Sequence, residues 1–262
     1  MHPVLFEIPL FGGLRIYTYG VLVALGFLVG MWYVSREAKR LGQSPAEATD
    51  LVFYLIIAAI LGSRLMYVIV EEWQAFLDRP WIFFRLWEGG LVFHGGLIAA
   101  VAVAVGYTRY KRRSFWTYAD LFAPAIALGH GIGRIGCLAA GCCHGRQAAG
   151  AHWWTLVFPK TPYGFAPPDV PLYPTQPMES LGAFTLFVIL FCLRRRLAGN
   201  GRLFAVYLFG YSCLRLLVEP LRGVAARNFI LGDLVTTGQI ISILLLLAAA
   251  AIWIARGRRG HV

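Results

Sequence analysis

Long apolar runs separated by short basic clusters constrain what this chain can fold into more than any other feature. A helix needs roughly 20 mostly apolar residues to cross a bilayer core. Seven stretches meet or approach that length: residues 16–34, 51–70, 91–107, 118–141, 181–193, 203–221 and 234–254. Of the 262 residues, 58% are hydrophobic and 14% charged, against about 25% charged in a typical soluble domain. Mean hydropathy is +0.64. A disordered chain is thereby excluded, and a water-soluble globule of this length could not hide so much apolar surface. The expectation is an all-α polytopic membrane protein forming one integral domain over 1–262, with no removable leader in the first fifteen residues.

Charge then orients the spans. The net charge is +11. In a soluble protein that excess would suggest nucleic acid; here it sits in interhelical clusters and reads as a topology signal, with no nucleic-acid partner. With the N-terminus outside, fourteen of the 24 Lys and Arg fall on the cytoplasmic side, seven outside and three within spans. The clusters are Arg36, Lys39 and Arg40; Arg109, Lys111, Arg112 and Arg113; Arg194, Arg195, Arg196 and Arg202; and Arg256, Arg258 and Arg259. This bias predicts seven helices, N-terminus out and C-terminus in. The outer loop 71–90 carries Trp73, Trp81, Phe83, Phe84 and Trp87, suited to the headgroup layer. The Pro- and aromatic-rich segment at about 142–180 is an insertion long enough to be functional.

Charged groups within spans need a partner or a purpose. Arg64 either snorkels to the interface or serves a ligand. Arg134 follows His130 by four residues, on the same helix face, among Gly129, Gly131, Gly133 and Gly136. Arg215 and Glu219 are likewise four apart, with Arg222 beyond them; they satisfy each other, or leave a positive surplus for an anion. Asp120 and Pro124 are further oddities in the fourth span. Arg64, Arg134, Arg215 and Arg222 all parse to the outer halves of their helices, so they are expected to converge on one anion. Guanidinium grips phosphate in bidentate fashion and keeps its charge. His94, flanked by Gly89, Gly90, Gly95 and Gly96, is a helix cap or a proton acceptor. Cys137, Cys142 and Cys143 lack the paired spacing of structural zinc and form no C-x-x-C, so they read as small packing residues, with no metal expected. Walker, G-x-S-x-G and H-E-x-x-H patterns are absent.

In order and spacing, several motifs resemble the prolipoprotein diacylglyceryl transferase family. They are Tyr19-Gly20; Gly62-Ser63-Arg64 with Tyr67; Phe93-His94-Gly95-Gly96-Leu97-Ile98; Gly133-Arg134-Ile135-Gly136 with Gly141 and Gly145-Arg146; Pro174-Thr175-Gln176 with Glu179-Ser180; Arg215 with Glu219 and Arg222; and Gly238-Gln239. The resemblance implies a bacterial cytoplasmic-membrane enzyme of lipoprotein biosynthesis. It would transfer the sn-1,2-diacylglyceryl group from phosphatidylglycerol to the lipobox cysteine of a preprolipoprotein, forming a thioether and releasing glycerol-1-phosphate without a cofactor. It further implies that Arg134 binds the headgroup, that Arg215 is required, that His94 is the base and that Tyr19 matters. Arg64, Gly95, Gly96, Gly145, Gln176, Tyr211, Glu219 and Arg222 complete the expected substrate-binding set. Within it, Arg64 and Arg222 would support the headgroup and Glu219 would orient the arginines. Cys137, Ala140 and Cys142 replace polar residues usual in the signature, two of them Asn, and Met178 replaces a Tyr. An anion or lipid transporter and an inactive lipid-binding paralogue are the rival classes; only the enzyme makes a covalent product.

Overall fold

The computed structural model describes residues 2–8, 14–86, 89–223, 229–230 and 235–257. Trp87 of the aromatic loop and Arg227, Arg258 and Arg259 of the charge tally lie outside the described residues. β1 (Val4–Ile8) pairs antiparallel with β2 (Leu14–Tyr17), which leads into α1 (Thr18–Arg40). Next come α2 (Pro45–Glu71), α3 (Trp73–Asp78), a 3-10 turn at Pro80–Phe84, α4 (Phe93–Tyr110) and α5 (Phe115–Ala140). β3 (Leu156–Val157) and β4 (Pro171–Leu172) form a short antiparallel pair before α6 (Thr175–Leu197). α7 (Arg202–Val218) continues as a 3-10 turn, Glu219–Leu221. The antiparallel pair β5 (Phe229–Ile230) and β6 (Val235–Thr236) precedes α8 (Thr237–Gly257).

Among the described residues, six helices are long and apolar enough to cross a membrane: α1, α2, α5, α6, α7 with its 3-10 extension, and α8. Seven spans were expected. The segment at 91–107 does fold as a helix, the 18-residue α4, but it is not one of the six. His94, Gly95 and Gly96 at its start and Arg109 at its end dilute an otherwise apolar run. Two helices begin six residues earlier than hydropathy suggested. Ser44 caps α2 by accepting the Glu47 N–H at 3.3 Å, with Pro45 at the first helical position, where its missing donor costs nothing. α6 starts at Thr175, with Pro177 in its first turn, so residues 175–180 belong to a helix and not to the long outer loop.

Alongside an apolar core, burial departs from that of a soluble protein. Helix faces expose residues such as Phe53, Ile57, Leu181, Leu244 and Leu247, whereas Arg64, Asp120, Glu179, Glu219 and Arg222 are buried. A lipid solvent makes that distribution favourable. Basic residues close the last turns of α1, α4, α6 and α8, α7 has Arg215 there, and α2 and α5 have none.

The chain divides into two compact units, residues 1–33 with 119–262 and residues 34–118. In the second, α4 lies directly on α2. A Cβ added at Gly95 would strike the Gly62 carbonyl, and one at Gly96 would strike Ser63 Oγ and the Ala59 carbonyl. Close packing of this kind through small residues is a means by which helices associate in lipid. In the first unit, α5, α6 and α7 share a core of Ala127, Leu186, Leu190 and Leu203. The glycines of α5 each meet something different: Gly129 faces Gly26 of α1, Gly131 faces the Phe184 ring, and Gly136 faces Tyr19, while Gly133 has open space.

Asp120 is accounted for by the fold. Its Oδ2 accepts the N–H groups of Gly199 and Gly201 at 2.8 and 2.7 Å, and its Oδ1 accepts that of Phe204 at 2.8 Å. One carboxylate thus satisfies donors at the start of α7 that have no partner within the helix. Asp120→Ala should lower stability by about 1–3 kcal/mol, read as thermal unfolding in detergent, while the residual activity per folded molecule stays unchanged.

Candidate functional site

α5, α6 and α7 bring a charged cluster together at one buried carboxylate. Ser180 Oγ donates to the Gly131 carbonyl at 2.9 Å, which fixes the first turns of α6 against α5. Glu179, 2% exposed, then sits beside the face of α5 that carries His130 and Arg134. Arg134 Nη2 is 2.5 Å from Glu179 Oε2. Arg222 Nη1 is 3.1 Å, and Arg215 Nη1 3.6 Å, from the other oxygen, Oε1. Arg215 also reaches forward one turn, its Nη2 2.9 Å from Glu219 Oε2.

The surrounding groups hold these charges in place. Arg134 Nε lies 3.2 Å from His130 Nε2, and the same ring nitrogen is 3.7 Å from Glu179 Oε2. The His130 ring lies 5.8 Å from the Tyr211 ring, centroid to centroid. Glu219 Oε1 accepts the Thr236 hydroxyl at 2.7 Å. Any side chain at Gly238 would press on the Glu219 carboxylate, so α8 needs a glycine there. Gly145 is similarly constrained, because a Cβ would collide with the carbonyls of Tyr173 and Leu221. It pairs with Arg222 across a β-bridge and so helps place that arginine.

Counted over these five side chains, three guanidinium groups against two carboxylates leave a formal surplus of one positive charge. Arg134 and Arg215 side chains remain 17% exposed, so both retain donors for a ligand. Arg134 lines a cavity of about 210 Å³ between α5 and α6, together with Gln176, Ser180 and Phe184. Gln176 is fully buried. Its Nε2 donates to the Cys142 carbonyl at 3.0 Å, and its Oε1 has no hydrogen-bond partner among the described residues. A buried acceptor without a donor carries an energetic cost unless a ligand supplies one. A larger cavity, about 800 Å³, is lined by Tyr19, Gly20, Ala140, Cys142 and Tyr163.

Of the four arginines expected to share one anion, Arg134, Arg215 and Arg222 do come together. Arg64 belongs to the other unit, where its guanidinium is engaged with that unit's own loop. It donates to the carbonyls of Ile82, Phe83, Gly89 and Gly90 at 2.5–3.4 Å, lies 3.7 Å from Glu72 and stacks over Tyr67. At 2% exposure it neither snorkels nor presents a free face; it ties down the segment between α3 and α4. Gly95 and Gly96, expected to contact substrate, are buried in the α2–α4 crossing. His94 sits in the first turn of α4, exposed and edge-on to Phe93. Glu179 and Thr236 were missing from the expected site.

Cys143 lies in the loop after α5. Hydrogen bonding with the Cys137 and Cys142 thiols holds its own thiol well below the usual value, and the nearby charges of Arg134 and Arg222 act in the same direction.

A sequence profile of the prolipoprotein diacylglyceryl transferase family matches residues 3–255. The phosphatidylglycerol–prolipoprotein diacylglyceryl transferase of Bacillus licheniformis is 36% identical over 262 residues, spanning 100% of this chain and 94% of the relative. The protein of the same name from Halalkalibacterium halodurans is 37% identical over 250 residues, 95% of this chain and 85% of its own. That of Legionella pneumophila strain Corby is 31% identical over 262 residues, at 98% and 97% coverage.

Two outcomes follow from this geometry. Glu179→Gln removes the charge that gathers three arginines and should lower stability by about 3–5 kcal/mol. Added sulfate should recover part of the loss in thermal unfolding, and an unchanged melt would contradict the hub. The lowered Cys143 pKa means that its thiolate persists as pH falls. Alkylation of Cys143, followed by peptide mass spectrometry, should therefore decline less steeply below pH 8 than that of an ordinary thiol of pKa about 8.5.

Proposed function

Since the chain belongs to the prolipoprotein diacylglyceryl transferase family, we propose that it transfers the sn-1,2-diacylglyceryl group of phosphatidylglycerol to the lipobox cysteine of preprolipoproteins. A thioether forms and glycerol-1-phosphate leaves. The family carries diacylglyceryl transfer in general terms; the donor, the acceptor and the residue roles are our reading. The observation that supports it most is the surplus positive charge of Arg134, Arg215 and Arg222 around Glu179, next to a cavity of headgroup size.

In the reaction, the thiolate sulfur attacks the glyceryl carbon that bears the phosphodiester oxygen. The C–S bond forms as the C–O bond breaks, and the electron pair stays with the departing phosphate. A bound diester carries one negative charge, which the surplus of the cluster matches. Charge on the phosphate grows as the bond breaks, so donors already aimed at it stabilise the transition state more than the ground state. Arg134 and Arg215 take the phosphate, while Glu179 and Glu219 hold their forks in position. Gln176 Oε1 accepts a hydroxyl of the headgroup glycerol, which favours this headgroup over choline. The same positive field favours the thiolate over the thiol. His94, exposed at the start of α4, takes the thiol proton, and Tyr19 lines the larger cavity where chain or peptide is received.

The topology we propose has seven spans, with α4 as the third, in the bacterial cytoplasmic membrane. The N-terminus and the long loop face the periplasm and the C-terminus the cytoplasm. The basic last turns of α1, α4, α6 and α8, the four helices that would end inside, support it; the one basic residue in the last turn of α7, Arg215, is paired with Glu219.

The test is reconstitution with phosphatidylglycerol and a lipobox peptide, with mass detection of the diacylglyceryl adduct. Wild type should yield the adduct; lipid binding or flux without it would favour the scaffold or transporter reading. Arg134→Ala should reduce the rate at least about 100-fold, and full activity would refute its assignment. His94→Asn should lose rate with little change in lipid affinity; a near-normal rate would remove His94 from the chemistry and leave the arginine assignments standing.

A further inference from the structure

The sequence spacing gave no reason to place a metal at the three clustered cysteines, but the fold brings their sulfurs together. Cys137 is near the end of α5. Gly141 and Cys143 then adopt left-handed backbone, φ +75° and +58°, and this reverses the chain so that Cys142 and Cys143 return to Cys137. All three Sγ atoms lie within 4.8 Å of one another. All three are free thiols. The loop is fastened from α6, where Thr175 Oγ1 donates to the Cys143 carbonyl and Gln176 Nε2 to that of Cys142, both at 3.0 Å.

We propose that Cys137, Cys142 and Cys143 form a three-thiolate site for a thiophilic d10 cation such as zinc. An ion bound at about 2.3 Å to each sulfur sets them about 3.8 Å apart in a tetrahedron and about 4.0 Å apart in a plane. Small side-chain rotations therefore close the site without moving the backbone. Soft thiolate donors select such ions over magnesium or calcium. Each thiol still protonated loses its S–H bond and releases that proton to solvent, as metal binding by thiols requires. A divalent ion with three thiolates carries one net negative charge. Arg134 and Arg222, whose charges act on Cys143, provide the compensating field. The fourth position of a tetrahedral ion is left for water, as in exchangeable rather than closed structural sites. Occupancy would offset the surplus charge of the neighbouring arginine cluster, so the ion is an inhibitor of any anion binding there. The site itself does not depend on the transferase reading.

Full-length protein in detergent, reduced with a phosphine and freed of metal, is titrated with cadmium alone and followed by the thiolate-to-metal charge-transfer absorbance. One cadmium per chain is expected, with zinc competing for it. The band should vanish when Cys137→Ser, Cys142→Ser and Cys143→Ser are combined, and should survive Cys192→Ser. X-ray absorption of the zinc-loaded wild type, which needs no variant, should show three sulfurs at about 2.3 Å. Absence of the band in wild type, its survival in the triple variant, or a zinc shell of oxygen and nitrogen alone would overturn the proposal.

Discussion

One buried carboxylate allows three arginines to share a small volume. Without Glu179, Arg134, Arg215 and Arg222 would present three like charges in a medium that screens them poorly. Each of its two oxygens answers one or two guanidinium groups, and Glu219 takes the rest of Arg215. The arrangement is neutralised only in part, which is what the proposed role as a receiving site requires. A fully paired cluster would stabilise the fold and have nothing left for a ligand.

The position of Glu179 in turn depends on where α6 begins. Six of the seven apolar runs expected as spans are, among the described residues, helices long and apolar enough to cross a membrane, because lipid selects for such runs directly. The ends of the helices were not legible in this way. Hydropathy placed the fifth span at 181, leaving Glu179 two residues outside it and seemingly in a loop. The helix starts at Thr175, and its polar first turns are buried because the partners are other polar groups. Pro177 was an available signal of a helix start, as Ser44-Pro45 was for α2. The i to i+4 pairings, His130 with Arg134 and Arg215 with Glu219, were readable from spacing alone and are present. The meeting of Arg134, Arg215 and Arg222 was expected from their shared depth, but the carboxylate they share was not, since no local pattern records that they meet at Glu179. The same is true of Thr236 at Glu219.

Arg64 illustrates a second limit. A charged residue in an apolar run signals that something must satisfy it, but not what. Here backbone carbonyls from Ile82 to Gly90 do so, and the arginine serves as a tether. Asp120 is the acidic counterpart, spent on amide donors at the start of α7. The glycines divide in the same manner: Gly95 and Gly96 admit a neighbouring helix, Gly145 and Gly238 clear space beside the site, and Gly133 alone among those of α5 faces open space. Cys137 and Cys142 join Cys143 to gather three sulfurs, with the charges of Arg134 and Arg222 close to that of Cys143.

The central claim is that this cluster receives the phosphate of an anionic phospholipid. Native mass spectrometry of the detergent-solubilised protein with equal phosphatidylglycerol and phosphatidylcholine tests it most directly, with Arg134→Ala and Arg215→Ala alongside. Retained phosphatidylglycerol on wild type, with the preference lost in both variants, is the predicted result. Equal retention of the two lipids by wild type, or a preference that survives both substitutions, would contradict the account.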